Sequence, residues 1–101
     1  MDNIAIYKVG GVLDASTSQK EQEGILAILD SDKNVALDLS GCTYVSSAGL
    51  RVMLYSYKVA ASKGLKLYLI SVSSEVKEVM TITGFERFFT FFDSVDDCLK
   101  A

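Results

Sequence analysis

The stretch Asn34-Val35-Ala36-Leu37-Asp38-Leu39-Ser40-Gly41-Cys42-Thr43-Tyr44-Val45-Ser46-Ser47-Ala48-Gly49-Leu50-Arg51, with its continuation to residue 70, decides how this chain folds. Residues 35–39 read as an apolar strand, residues 40–45 as a connection, residues 48–63 as a helix and residues 65–70 as a second strand. A strand, a helix and a parallel strand in this order make one right-handed crossover, with the loop after the first strand exposed beside the helix N-terminus. Function is expected at that loop.

The helix rests on spacing. Leu50, Met53, Leu54, Tyr57 and Ala61 recur at three and four residues and predict one buried stripe, widened by Val52 and Val59. Gly64 stands where a single left-handed residue often ends a helix, and Lys63 before it suits the negative end of the helix dipole.

Toward the N-terminus, Ile4, Ile6 and Val9 predict a short first strand, Gly10-Gly11 breaks it, and Val12-Leu13 resume the extended chain. Asp14-Ala15-Ser16-Thr17 offers several N-caps for a first helix that runs to Leu29, with Ile25, Leu26, Ile28 and Leu29 in its second half. Gly24 within it costs about 1 kcal/mol against alanine. Residues 30–33 form a turn before the central strand. Toward the C-terminus, residues 71–74 are a loop and cap for a third helix, whose stripe of Val76, Val79, Met80 and Thr83 ends at Gly84. Residues 89–92 give the last strand, and Ser94 with Asp97 three residues on resembles a capping box opening a terminal helix to Ala101. This alternation predicts a single α/β domain, residues 1–101, with a largely parallel sheet.

Composition narrows the function. The chain has 101 residues, half of them hydrophobic, enough for one modest core. Its net charge of -3, with cations scattered among carboxylates, argues against nucleic acid or an anionic membrane as partner. There is no histidine, and the two cysteines, Cys42 and Cys98, lie far apart, so the common zinc spacings are absent. Met1-Asp2-Asn3 is not a basic signal region and no apolar run reaches membrane-spanning length. The expectation is a cytoplasmic protein with free thiols, no metal, no cofactor and no direct membrane insertion.

Ser46 and Ser47 admit two readings. A serine at a helix start accepts a hydrogen bond from an unpaired backbone N–H. A hydroxyl there can also carry a phosphate, which the positive end of the helix dipole tolerates. Acyl transfer has less behind it: no histidine is present to activate Ser47, and the segment lacks a Gly-x-Ser-x-Gly elbow. Ser74-Glu75-Val76-Lys77 matches Ser-x-x-Lys, which a helix cap followed by a surface lysine explains more simply. Gly10-Gly11 lacks the spacing of a phosphate cradle. Asp14 reads as a turn or cap residue, Asp38 faces solvent or caps the connection after it, and Tyr55 and Tyr57 read as core or helix surface.

Gly11-Val12-Leu13-Asp14, then Ala36-Leu37-Asp38-Leu39-Ser40-Gly41, then Tyr44-Val45-Ser46-Ser47-Ala48-Gly49-Leu50-Arg51, and finally Gly84-Phe85-Glu86-Arg87-Phe88-Phe89 together resemble a STAS domain of the bacterial anti-sigma factor antagonist type. The resemblance implies a STAS-like α/β fold, with a four- to five-stranded largely parallel or mixed sheet and about four helices. It implies a protein switch and no enzyme: family members sequester an anti-sigma factor, often a serine kinase, and so release a sigma factor. That kinase phosphorylates a serine at the start of the central helix, and a PP2C-type phosphatase restores binding. Aligned on Gly49-Leu50, the acceptor falls on Ser47, with Ser46 as the second candidate. The implied partner-binding residues are Asp14, Thr43, Ser46, Ser47, Ala48, Gly49 and Arg51.

Ser46 replaces an aspartate, and Ala48 a second hydroxyl residue, of the commonest family pattern. The first strand starts near residue 1, so the N-terminal edge strand of longer relatives is expected to be missing. The alternative within the family is a non-switching scaffold, or an accessory subunit of a stress-signalling complex or a lipid or anion transporter.

Overall fold

Four strands, β1 (Ile4–Lys8), β3 (Asn34–Asp38), β5 (Leu67–Ile70) and β6 (Thr90–Phe92), pair side by side in that order, all parallel, in the computed structural model, which describes residues 3–101. Met1-Asp2, part of the segment read above as no signal region, lies outside the described residues. Helices α1 (Ser18–Asp30), α2 (Ser47–Ser62) and α3 (Ser74–Thr83) build the larger core with one face of the sheet, and the short α4 (Val95–Leu99) packs on the other. The period of two along β3 explains this: Val35 and Leu37 enter the helix-side core, while Ala36 joins Ile70 and Cys98 under α4. All three are fully buried, which is why the strand reads as a continuous apolar run.

The expected elements are present with informative shifts. β5 begins at Leu67 because residues 64 and 65 still close α2: Gly64 takes φ 71° and the Leu65 N–H donates to the Ala60 carbonyl at 2.8 Å. The last strand begins at Thr90, since Phe85–Phe88 forms a 3-10 turn and Phe89 sinks into the core against Tyr57, with ring centroids 5.7 Å apart. Along α2 the buried line runs through Leu50, Val52, Met53, Ser56 and Ala60, and Ala61 is exposed. Ser56 hides this line from an apolar pattern. Along α3 only Val76 and Met80 are buried, while Val79 and Thr83 face outward. The cap of α3 is Ser73, whose hydroxyl accepts from the Val76 N–H at 3.2 Å. Ser94 caps α4 in the same way, accepting from the Asp97 N–H at 3.1 Å. Cys42 and Cys98 are free and buried in separate clusters, and burial pushes both thiols up.

Gly24, an apparent defect in α1, has a reason. A Cβ there would come within 2.5 Å of the Tyr7 ring, so the glycine lets strand β1 lay its tyrosine across the helix. Tyr7 donates its hydroxyl hydrogen to Glu21 Oε1 at 2.8 Å, and the Gly10 N–H donates to Glu21 Oε2 at 2.8 Å. The buried Glu21 thus ties β1 and the Gly10-Gly11 break to α1. Burial first, then the Glu21 hydrogen bond and charge, push the Tyr7 phenol up to about 12 from 10.0. The folded state therefore holds this proton more tightly than the unfolded chain, so the resulting stability is complete below pH 10.0 and disappears as pH rises to about 12. Glu21→Gln, which removes the charge and leaves the burial, is expected to move the Tyr7 titration part of the way back toward 10.0, measured by phenolate absorbance.

Candidate docking surface at the start of the central helix

Two further short strands place the candidate residues. β2 (Val12–Leu13) and β4 (Tyr44–Val45) pair in parallel as a separate two-stranded sheet, with Val12 opposite Tyr44 and Leu13 opposite Val45. The segment expected as a plain connection after β3 therefore contains a strand. Its start is fastened by Thr43, whose N–H and hydroxyl both donate to the Gly11 carbonyl, at 2.8 and 3.1 Å. Its end is fastened by the Ser46 N–H, which donates to the Leu13 carbonyl at 2.9 Å. This pairing brings Asp14, the residue after Leu13, to the entrance of α2.

The two serines divide the available roles. Ser46 is the N-cap, with extended backbone, and its Oγ accepts from the Gly49 N–H at 3.3 Å. Its carbonyl accepts the Leu50 N–H at 2.9 Å, the first bond of the helix. Ser47 is the first helical residue, it is exposed, and its hydroxyl has no hydrogen-bond partner among the described residues. The N–H groups of Ser47 and Ala48 precede the first intrahelical bond and point to the helix entrance.

The remaining predicted residues fall around this point with different duties. Gly49 is buried, and a Cβ on it would stand 2.4 Å from the Leu13 carbonyl oxygen and 2.9 Å from Leu13 and Val45 side-chain carbons. It lets the helix tip close onto the small sheet and presents no side chain to a partner. Ala48 and Arg51 border a groove of about 520 Å³ between α1 and α2, together with Ser18, Gln22, Tyr55 and Lys58. Asp14 is engaged locally: its Oδ1 accepts from the Ser16 hydroxyl at 2.7 Å and from the Ser16 and Thr17 N–H groups at 2.9 and 3.3 Å. The Ser16 hydroxyl and amide hold its carboxyl below the usual range. Asp38 caps its own connection, its Oδ1 accepting from the Ser40 N–H at 2.9 Å.

Sequence reasoning passed over the apolar side of this surface. Tyr44 is 56 % exposed and its neighbour Val12 is 37 % exposed, while Leu13 and Val45 beside them are buried. Tyr44 also borders a smaller groove of about 210 Å³ with Glu75 and Val79 of α3. The alternation in Val12-Leu13 and Tyr44-Val45 carried the signal, but two residues are too few to declare a period.

An exposed hydroxyl at a helix start can accept a group that another protein activates. Lys77, the lysine of the Ser-x-x-Lys match, lies with its Nζ 4.9 Å from the Phe91 ring centroid on the surface of α3. Among the described residues no helix is long and apolar enough to cross a membrane.

Comparison with known proteins agrees with this geometry. The family model described as STAS domain matches residues 1–98. BtrV of Bordetella bronchiseptica, provisionally named an anti-sigma factor antagonist, is 32% identical over 95 residues, spanning 93% of this chain and 82% of BtrV. Among solved structures, a sulfate transporter family protein from Wolinella succinogenes superposes with a TM-score of 0.86 at 17% identity, covering 99% of this chain and 84% of that one. The Bacillus cell fate determinant SpoIIAA in its phosphorylated form superposes with a TM-score of 0.75 at 11% identity, covering 99% and 91%. At such identities the two structures speak for the fold alone. The family match and the BtrV alignment together carry the conclusion that this chain belongs to the STAS domain family, with the anti-sigma factor antagonists.

Proposed function

We propose that this protein is a phosphorylation-switched docking module: unmodified, it binds an anti-sigma factor that is also a serine kinase and so frees a sigma factor in the cytoplasm; phosphorylated on Ser47, it lets that partner go. The observation that carries the reading is the division of labour at the helix tip, where Ser46 takes the cap and leaves the Ser47 hydroxyl exposed. The similarity to BtrV supports an anti-sigma factor as partner, and the existence of a phosphorylated form of SpoIIAA, which shares the fold, is in keeping with a phosphate on this one.

In the transfer step the kinase moves the γ-phosphoryl group of ATP onto Ser47 Oγ. The terminal P–O bond to ADP breaks, the new O–P bond forms, and the hydroxyl proton leaves with a base the kinase supplies. A PP2C-type phosphatase reverses the state by hydrolysis. Asp14, Thr43, Ser46, Ala48 and Arg51 frame the contact, and Gly49 sets its shape from below.

Ser47→Ala is expected to bind the partner kinase and to take up no label from radioactive ATP, while Ser46→Ala, which loses the cap and a contact residue, still takes up label on Ser47. Equal labelling of Ser47→Ala and wild type would show that the acceptor lies elsewhere.

A further inference from the structure

We infer that Arg51 is the receiver for a phosphate on Ser47: the modified serine and the guanidinium close an ion pair along one face of α2, drawing the arginine away from the groove between α1 and α2. Arg51 lies four residues after Ser47 on the same helix, the separation at which side chains stand one above the other with Cβ atoms about 5–6 Å apart. The acidic partner sits on the N-terminal side and the basic one on the C-terminal side, the order that the helix dipole favours.

Both side chains are exposed and neither is committed. Arg51 makes no ion pair or hydrogen bond with its side chain among the described residues, and neither does the Ser47 hydroxyl. The planar guanidinium matches phosphate oxygens two at a time, which an ammonium cannot do. Of the other charged groups around this face, Asp14 has its carboxylate tied to Ser16 and Thr17, and Lys58 lies two turns further along α2.

Arg51 also borders the groove of about 520 Å³, where among the described residues that line it Arg51 and Lys58 carry the positive charges and none is a carboxylate. In the unmodified protein the groove therefore offers a partner two positive charges spaced about 10 Å apart along the helix. Pairing with the Ser47 phosphate neutralises one of them. Modification would thus alter the docking surface twice, by adding negative charge at the tip and by withdrawing a positive charge from the groove.

The test places phosphoserine at residue 47 during translation, so it stands whether or not any kinase uses that serine. Phosphorus NMR then follows the second ionisation of the phosphate, ordinarily near pH 6. Arg51→Gln is expected to raise that titration by about half a unit, since a nearby cation favours the dianion. Arg51→Lys is expected to restore part of the shift, and Lys58→Gln to leave the titration in place. An unmoved titration in Arg51→Gln overturns the pairing, and so does an equal movement in Lys58→Gln, which would mark a diffuse field instead of a specific contact. The biological use of the pair rests on Ser47 being the acceptor. Labelled Ser47→Ala would remove that use and leave the pairing intact; an unmoved titration would remove the pairing and leave the acceptor.

Discussion

Gly49→Ala is expected to destabilise the protein by about 2 kcal/mol or more, lowering the melting temperature by roughly 10 °C in a domain of this size. The substitution is favourable in isolation, since alanine in a helix gains about 1 kcal/mol over glycine. Packing decides the sign. The added methyl would meet the Leu13 carbonyl oxygen at 2.4 Å, a backbone atom that already accepts the Ser46 N–H at 2.9 Å. Relief requires α2 to tilt off the small sheet or β2 to retreat from β4, and either movement loosens that hydrogen bond. Thermal unfolding measures the cost, and amide chemical shifts of Ser46 and Ser47 report the displacement. A melting temperature equal to or above that of the wild type would mean that the close approach at this point is not a constraint.

Ser47→Asp is expected to weaken binding of the anti-sigma partner about a hundredfold, which corresponds to about 2.8 kcal/mol. A new charge brought against a surface matched to a neutral hydroxyl must be desolvated or repelled, and a penalty of that order requires no change of fold. The effect on stability runs the other way: a carboxylate in the first turn of a helix gains about 0.3–1 kcal/mol from the dipole. Circular dichroism should be unchanged and the melting temperature unchanged or slightly raised. Ser47→Asn, close in size and uncharged, separates charge from bulk in an affinity titration with the purified partner. Equal losses for the two variants would assign the effect to shape, and no loss for Ser47→Asp would remove Ser47 from the contact.

Much of this architecture was legible before any coordinates. The crossover from β3 through α2 to β5 follows from a doubly buried apolar run, a helical stripe and a left-handed Gly64, each of which has a local physical cause. A cap site at the Ser46-Ser47 pair was also legible, because cap chemistry depends on a few adjacent residues; which serine caps and which stays exposed was not, and the choice of Ser47 as acceptor rests on the family resemblance. What could not be read depends on distant pairings. β2 and β4 are two residues each and exist because they lie against one another. Glu21 looks like a surface glutamate on α1 until Tyr7 and Gly10 arrive to bind it. Gly24 looks like a helix defect until the Tyr7 ring fills the space above it. The outward-facing Tyr44 and Val12 were hidden for the same reason, since facing outward has no meaning before the small sheet forms.

One oxygen atom, on Leu13, is where three parts of the chain meet: strand β2 supplies it, the Ser46 amide grips it and Gly49 leaves room for it. Strain applied to the β1–β2 segment passes to the tip of α2 through a rigid peptide unit, without rotatable side chains in between. The backbone under this surface is therefore expected to be stiff before any partner arrives, so that association should sacrifice little backbone freedom on this side of the complex.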